Sequence, residues 1–166
     1  NDPSRGKYFT RKDFELLVRT KERIQATIMQ HFGLNKLYLT SPTFFARLDG
    51  DKEPMTLHDE YWHQHVDTIA YGSFVYTGLL YLSDYEHDFE GGEFVYIDEE
   101  GRFNQTVAPM SGRLSFFTSG HENVHQVRRV NKGKRLTLTI AFTCDPEMAI
   151  DDFLADRKHL FVEPFK

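Results

Sequence analysis

The sequence predicts a mostly β fold, a sandwich or barrel of antiparallel strands with flanking helices, on three observations. An amphipathic repeat near the N-terminus reads as one long helix. After Pro42 the chain breaks into short apolar-aromatic runs, and turn material rich in Gly and Pro separates those runs. The aromatic content agrees, since 15 Phe and 8 Tyr in 166 residues suit a β-rich core.

The helix comes first. Thr10 followed by Asp13 has the form of a capping box, with Asp in place of Glu or Gln. From there to about Phe32, the residues Phe14, Leu17, Ile24, Ile28 and Phe32 recur at roughly helical spacing, and Gly33 is a natural stop. A helix over about 10–32, lying on the outside of a sheet, is the expectation. The β core is expected over about 42–145. Its runs are TFFARLD, GSFVYTGLLYLSD, GEFVYID, FNQTVAP, RLSFFTS, NVHQVRRV and RLTLTIAF, with GDKEP, EGG, APMSG and NKG as the turns. A second helix is expected from Pro146 to about His159. No repeat, low-complexity stretch or linker divides the chain, so 1–166 reads as one domain.

Composition excludes several function classes. The net charge of −5 argues against a nucleic-acid partner, because phosphate binding needs clustered Lys and Arg. The cluster Arg128, Arg129, Lys132, Lys134 and Arg135 is short and broken by the NKG turn, so it reads as a solvated strand rim. No apolar run reaches the length of a membrane span. The chain begins at Asn1, which makes a piece of a longer protein the expectation, with any anchor or signal upstream of it. Cys144 is the only cysteine and excludes an internal disulfide. The triplet Asn104-Gln105-Thr106 has the form of a glycosylation acceptor in a lumenal or secreted chain.

The chemistry gathers on His65 and Asp67 in YWHQHVDT, His125 in SGHENVHQV, and Arg135. In an extended segment, side chains at i and i+2 share a side, so His65 and Asp67 can reach one ion while Val66 turns into the packing. His125 lies far downstream and must come from a separate strand. Two imidazoles and one carboxylate can occupy one face of an Fe(II) ion and leave the opposite face open. Arg135, ten residues after His125, is the residue type that clamps a distant carboxylate in bidentate fashion. Together they point to oxygen chemistry driven by 2-oxoglutarate. Each signal is weak alone, since an acid near a histidine is common and His125 by itself reads as a polar residue of a half-exposed strand. The same ligand set suits Zn or Mn in a cupin-like barrel without 2-oxoglutarate turnover. A peptide-recognition barrel is a further reading.

Other residues compete for these roles. His63 shares the face of His65 but lacks its acid two residues on, and His121 competes with His125. His58, Asp59 and Glu60 read as a charged rim, Trp62 as an entrance wall or a core residue, and Gly91-Gly92 as a tight turn or bulge.

Over roughly Pro42 to Pro146 the chain resembles the Fe(II)- and 2-oxoglutarate-dependent dioxygenases, in the branch containing prolyl 4-hydroxylases and procollagen lysyl hydroxylases. The resemblance rests on His65-Val66-Asp67, YTGLLYLSDYEHDFEGGEF, GRLSFFTSGHENVHQV and GKRLTLTIAF. It implies a double-stranded β-helix (jelly roll) with an N-terminal amphipathic helix. It implies Fe(II) on His65, Asp67 and His125, the ten-residue interval to Arg135 favouring His125 over His121. It also implies 2-oxoglutarate as co-substrate, with Arg135 on the far carboxylate and Tyr81 assisting through its hydroxyl. Thr137 and Thr139 share strand parity with Arg135, and Thr139 is the better match to a pocket residue. Ordinary β-propensity explains either threonine equally well. Ascorbate is a candidate further cofactor. The implied reaction is hydroxylation of a prolyl or lysyl side chain in a protein or peptide, with release of succinate and CO2, and the loop from Gly50 to Glu60 is where substrate choice is expected. The same kinship suggests a lumenal domain of a single-pass membrane protein anchored upstream, with the cytoplasm as the alternative.

Overall fold

Helix α1, Arg11–Phe32, forms where its spacing and caps predict. The Thr10 hydroxyl accepts the Asp13 backbone N–H at 3.3 Å, while the Asp13 carboxylate accepts the Thr10 N–H at 2.7 Å. Two orphan donors of the first turn are thereby satisfied. Gly33 ends the helix in the left-handed region at φ 66, a conformation that penalises any residue with a Cβ. The computed structural model of the chain describes residues 10–55, 60–98 and 100–150.

Among the described residues eight strands follow: β1 (Tyr38–Asp49), β2 (Tyr76–Tyr81), β3 (Phe89–Gly91), β4 (Phe94–Ile97), β5 (Phe103–Val107), β6 (Leu114–Thr118), β7 (His125–Val127) and β8 (Val130–Thr143). A short helix, α2 (Asp67–Tyr71), lies between β1 and β2. All pairings between these strands are antiparallel. One sheet runs β1-β8-β2-β6 with β3 added on β8, and the other runs β5-β4-β7.

Strand parity sorts the larger sheet into two faces. Leu138, Ile140 and Phe142 of β8 meet Ile24 and Ile28 of α1, and Ile28 has no exposed surface. Fully burying such a side chain contributes about 1.5–3 kcal/mol. Gly78 of β2 is required by this contact, because a Cβ there would lie 2.9 Å from Ile24 Cγ2. The opposite face carries Leu79, Tyr81 and Phe117, which form a second cluster with Phe94 of the smaller sheet. The order of layers is therefore helix, large sheet, small sheet, and the site lies between the two sheets. Among the described residues no helix is long and apolar enough to cross a membrane.

Each predicted run contains a strand, but four details differ. First, β1 starts at Tyr38, before Pro42. It is an edge strand whose register shifts between Thr40 and Phe44, a place where a residue without an N–H is tolerated. Second, NKG is not a turn. Gly133, at φ 75, carries β8 straight through, and its missing Cβ admits the Asp88 carbonyl and Phe89 of the neighbouring segment. Arg135 consequently leaves the solvated rim for the interior, with 2% of its surface exposed, while Lys132 and Lys134 stay in solvent. Third, β3 runs into the expected EGG turn and includes Gly91, and its register with β8 shifts between Glu90 and Gly91. Fourth, the first residues of the expected second helix form a 3-10 turn over Pro146–Met148 rather than an α-helical start. Ala149 is extended and the Ile150 N–H bonds to the Leu39 carbonyl at 2.9 Å, which pulls the chain back along β1. The remainder of that expected helix, 151–159, lies outside the described residues.

Candidate metal centre and co-substrate pocket

His65 and His125 are joined by a two-residue antiparallel bridge. The His65 N–H bonds to the His125 carbonyl at 2.9 Å, and the His125 N–H returns to the His65 carbonyl at 3.1 Å. This pairing brings residues that are remote in sequence opposite each other, with ring centroids 4.4 Å apart. Val66 is extended at φ −122, ψ 125, so Asp67 emerges on the same side as His65. Asp67 then opens α2 rather than continuing a strand.

The donor atoms converge. Nε2 of His65 and Nε2 of His125 each lie 3.6 Å from Asp67 Oδ1, beyond the range of a good hydrogen bond. One ligand atom from each of the three residues lies within 4.8 Å of the others. The other ring nitrogens are tied down: His65 Nδ1 bonds to the His63 carbonyl at 3.0 Å and His125 Nδ1 to the Asn123 carbonyl at 2.8 Å. A carbonyl only accepts, so each Nδ1 carries the proton and each Nε2 keeps a lone pair for a metal.

The pKa directions of His65 and Asp67 agree with a neutral His65 imidazole and an ionised Asp67 carboxylate. Burial pushes the His65 imidazole pKa below its usual value, and His125 pushes it the same way. Burial alone would raise the Asp67 carboxyl pKa, but the His125 imidazole, the Thr77 hydroxyl and His65 outweigh it and hold the group below the usual carboxylate range. A neutral imidazole beside an ionised carboxylate is the form that ligates. Phe94 stacks on the His125 ring at 4.9 Å and Phe117 meets it edge-on at 5.0 Å, which keeps that ring in place.

The competing histidines stand apart. His63 bonds through Nε2 to Glu60 at 2.8 Å and is exposed, and His121 is exposed in the 3-10 turn His121–Asn123. Neither joins the cluster.

Arg135 occupies the interior between the sheets. Its Nε donates to the Gly92 carbonyl at 2.8 Å, and its Cζ lies 5.5 Å from the centre of the Tyr81 ring. Nη2 is buried and has no hydrogen-bond partner among the described residues. Burial lowers the Arg135 pKa, yet a guanidinium remains a cation inside a protein. A buried cationic donor left unpaired is unfavourable, and an anionic ligand group would satisfy it.

The profile of the 2OG-Fe(II) oxygenase superfamily matches residues 54–143, which span the whole constellation. The chain belongs to that superfamily. The 2-oxoglutarate and iron-dependent oxygenase domain-containing protein 3 of Rattus norvegicus is 53% identical over 146 residues, covering 87% of this chain and 45% of that protein. Prolyl 3-hydroxylase 2 of Homo sapiens is 43% identical over 72 residues, covering 43% of this chain and 10% of that protein. The chain thus spans less than half the length of the curated relatives it matches. A crystal structure of a prolyl 4-hydroxylase from Phytophthora capsici superposes with a TM-score of 0.55 at 24% identity, covering 89% of this chain and 49% of that chain. That likeness establishes the fold as the oxygenase jelly roll.

Fe(II) and 2-oxoglutarate are the metal and co-substrate of this superfamily, and the residues fit both. The two-His, one-carboxylate set could hold a divalent metal, and Arg135 Nη2 could donate to a carboxylate. Tyr81 has no exposed surface. Its hydroxyl lies 3.3 Å from Ser115 Oγ, and burial raises its pKa, so the phenol stays protonated. Thr137 pairs with Tyr81 and is buried; Thr139 pairs with Leu79 and is half-buried. Both stand on the Arg135 face by parity. Trp62 is not a core residue. It is half-buried under the Arg129 guanidinium at 5.2 Å and lines a cavity of about 580 Å³ with Tyr61, Arg47 and Met55.

Sequence reasoning missed the residues that support the ligands. Thr77 and Ser119 hydrogen-bond beneath Asp67, and Gly92 holds Arg135. Thr77 carries one faint signal, since it shares parity with Tyr81 on β2.

Proposed function

We propose that this chain is the catalytic portion of an Fe(II)- and 2-oxoglutarate-dependent dioxygenase that hydroxylates a prolyl or lysyl side chain of a protein or peptide. The observation that carries the reading is the pairing of a three-residue metal set with a buried arginine whose Nη2 lacks a partner. The kinship to prolyl 3-hydroxylase 2 supports a prolyl target over a lysyl one.

Iron and 2-oxoglutarate supply the oxidising chemistry, consuming dioxygen and leaving succinate and CO2 while one oxygen enters the substrate C–H bond. The chain's own residues provide position and environment. His65, Asp67 and His125 would hold the metal, and three protein ligands would leave coordination positions open. Arg135 anchors the far carboxylate of 2-oxoglutarate, Tyr81 backs that contact from the neighbouring strand, and Thr139 adds a hydroxyl on the same face. Phe94 and Phe117 keep water from the buried side of His125.

The test is succinate release from 2-oxoglutarate in the presence of Fe(II) and dioxygen, with mass spectrometry of peptide pools for a gain of one oxygen. Asp67→Ala is expected to abolish both signals. A protein that binds metal yet releases no succinate would instead be a cupin-like barrel.

A further inference from the structure

The fold treats the two oxygens of Asp67 differently. Oδ1 faces Nε2 of both histidines, whereas Oδ2 accepts the Thr77 hydroxyl at 2.6 Å. An ionised carboxylate has no proton to give, so Thr77 is the donor. Ser119 Oγ lies 2.9 Å from Thr77 Oγ1, and with the Thr77 proton committed, Ser119 must donate to it. Both residues are buried, Thr77 at 3% exposure and Ser119 at 1%. Ser119 is itself fixed. Its N–H bonds to the Val75 carbonyl at 2.9 Å, and its carbonyl accepts the Thr68 hydroxyl at 2.8 Å, tying it to the first turn of α2. A short, charge-assisted bond in a dry site is strong and well aligned.

We propose that Thr77, oriented by Ser119, is a positioning residue that occupies Oδ2 and so keeps Asp67 a one-oxygen ligand. The proposal rests on the metal reading given above. A carboxylate can bind a hard divalent cation through one oxygen or two. A second oxygen on the metal would take one of the positions that three protein ligands leave open for co-substrate and dioxygen. Satisfying Oδ2 with a hydroxyl from β2 removes that competitor and also fixes the carboxylate plane. The same side chain that steadies the acid thus preserves the vacant half of the coordination sphere.

Co(II) is a suitable probe because its visible spectrum reports coordination number. Wild type, Thr77→Val, Thr77→Ser and Ser119→Ala are titrated with Co(II) by calorimetry, and spectra are recorded with and without 2-oxoglutarate. Thr77→Val is expected to weaken Co(II) binding about 10- to 100-fold, to shift the visible bands, and to weaken 2-oxoglutarate binding to the loaded protein. Thr77→Ser restores all three, and Ser119→Ala falls between. A Thr77→Val protein with wild-type affinity and spectrum, changed only in thermal midpoint, overturns the proposal. Should Thr77→Val fail to fold, Ser119→Ala decides it, and unchanged affinity and bands there overturn the proposal equally. Wild type that takes up no Co(II) overturns the metal reading itself, and this proposal with it.

Discussion

The Gly92 carbonyl accepts the Arg135 Nε–H at 2.8 Å, so one edge of the guanidinium is held by backbone while Nη2 is left without a partner. Gly92 stands at φ 70, and a Cβ there would lie 3.0 Å from Arg135 Cδ and 2.8 Å from Val130 Cγ2. Gly92→Ala is therefore expected to displace the guanidinium. Losing one charged hydrogen bond of about 1.4 kcal/mol corresponds to about tenfold in affinity, so the KM for 2-oxoglutarate should rise by about that factor in a succinate-release assay. An unchanged KM would remove Gly92 from the positioning of Arg135.

Arg135→Met separates function from stability. The variant loses both the bond to Gly92 and an unpaired buried donor, two effects of opposite sign. The ligand-free thermal midpoint is expected to stay level or rise. Wild type should be stabilised by added 2-oxoglutarate in the presence of metal, whereas Arg135→Met should not respond. A variant that responds like wild type would assign the co-substrate's far carboxylate to another residue.

The histidines give a third prediction. His65→Ala and His125→Ala are expected to lose bound metal by elemental analysis after purification, while His63→Ala and His121→Ala retain it. His125→Ala should also lower stability, because its ring packs between Phe94 and Phe117. His65, whose side chain is 42% exposed against 4% for His125, should do so much less. Metal loss in His63→Ala would mean that the ligand pair has been misassigned.

A fourth prediction concerns the helix. Ile28→Ala empties a fully buried site between α1 and the large sheet and should cost about 2–5 kcal/mol. Gly78→Ala overfills the same layer at Ile24 and should cost about 1–3 kcal/mol. Urea unfolding measures both. Neither is expected to change metal stoichiometry, because α1 covers the sheet face opposite the ligands.

Local signals were the legible ones. Thr10, Asp13 and Gly33 cap α1 through contacts within a few residues, and the apolar spacing between them needs no partner to be read. Strand parity likewise placed Arg135, Thr137 and Thr139 on one face. What escaped depends on neighbours distant in sequence. Gly133 reads as a turn until Asp88 and Phe89 are seen to need its missing Cβ. Pro42 reads as a boundary until β1 proves to be an edge strand. The helical start expected at Pro146 is replaced over 146–150 because Leu39 captures the Ile150 N–H. His65, Asp67 and His125 stood out as a motif, but the hydroxyls under Asp67 did not, since serine and threonine in strands are common and their partner lies on another element.

His65, which lies in no strand, is held to His125 of β7 by the two backbone bonds of an isolated bridge. An ion shared by the two imidazoles would therefore act as a clasp, fastening the stretch from Glu60 to Asp67 onto the rest of the barrel. Loading the site should then shield that stretch from proteases and slow its amide exchange, so the empty and filled forms differ in mechanical closure as well as in chemistry.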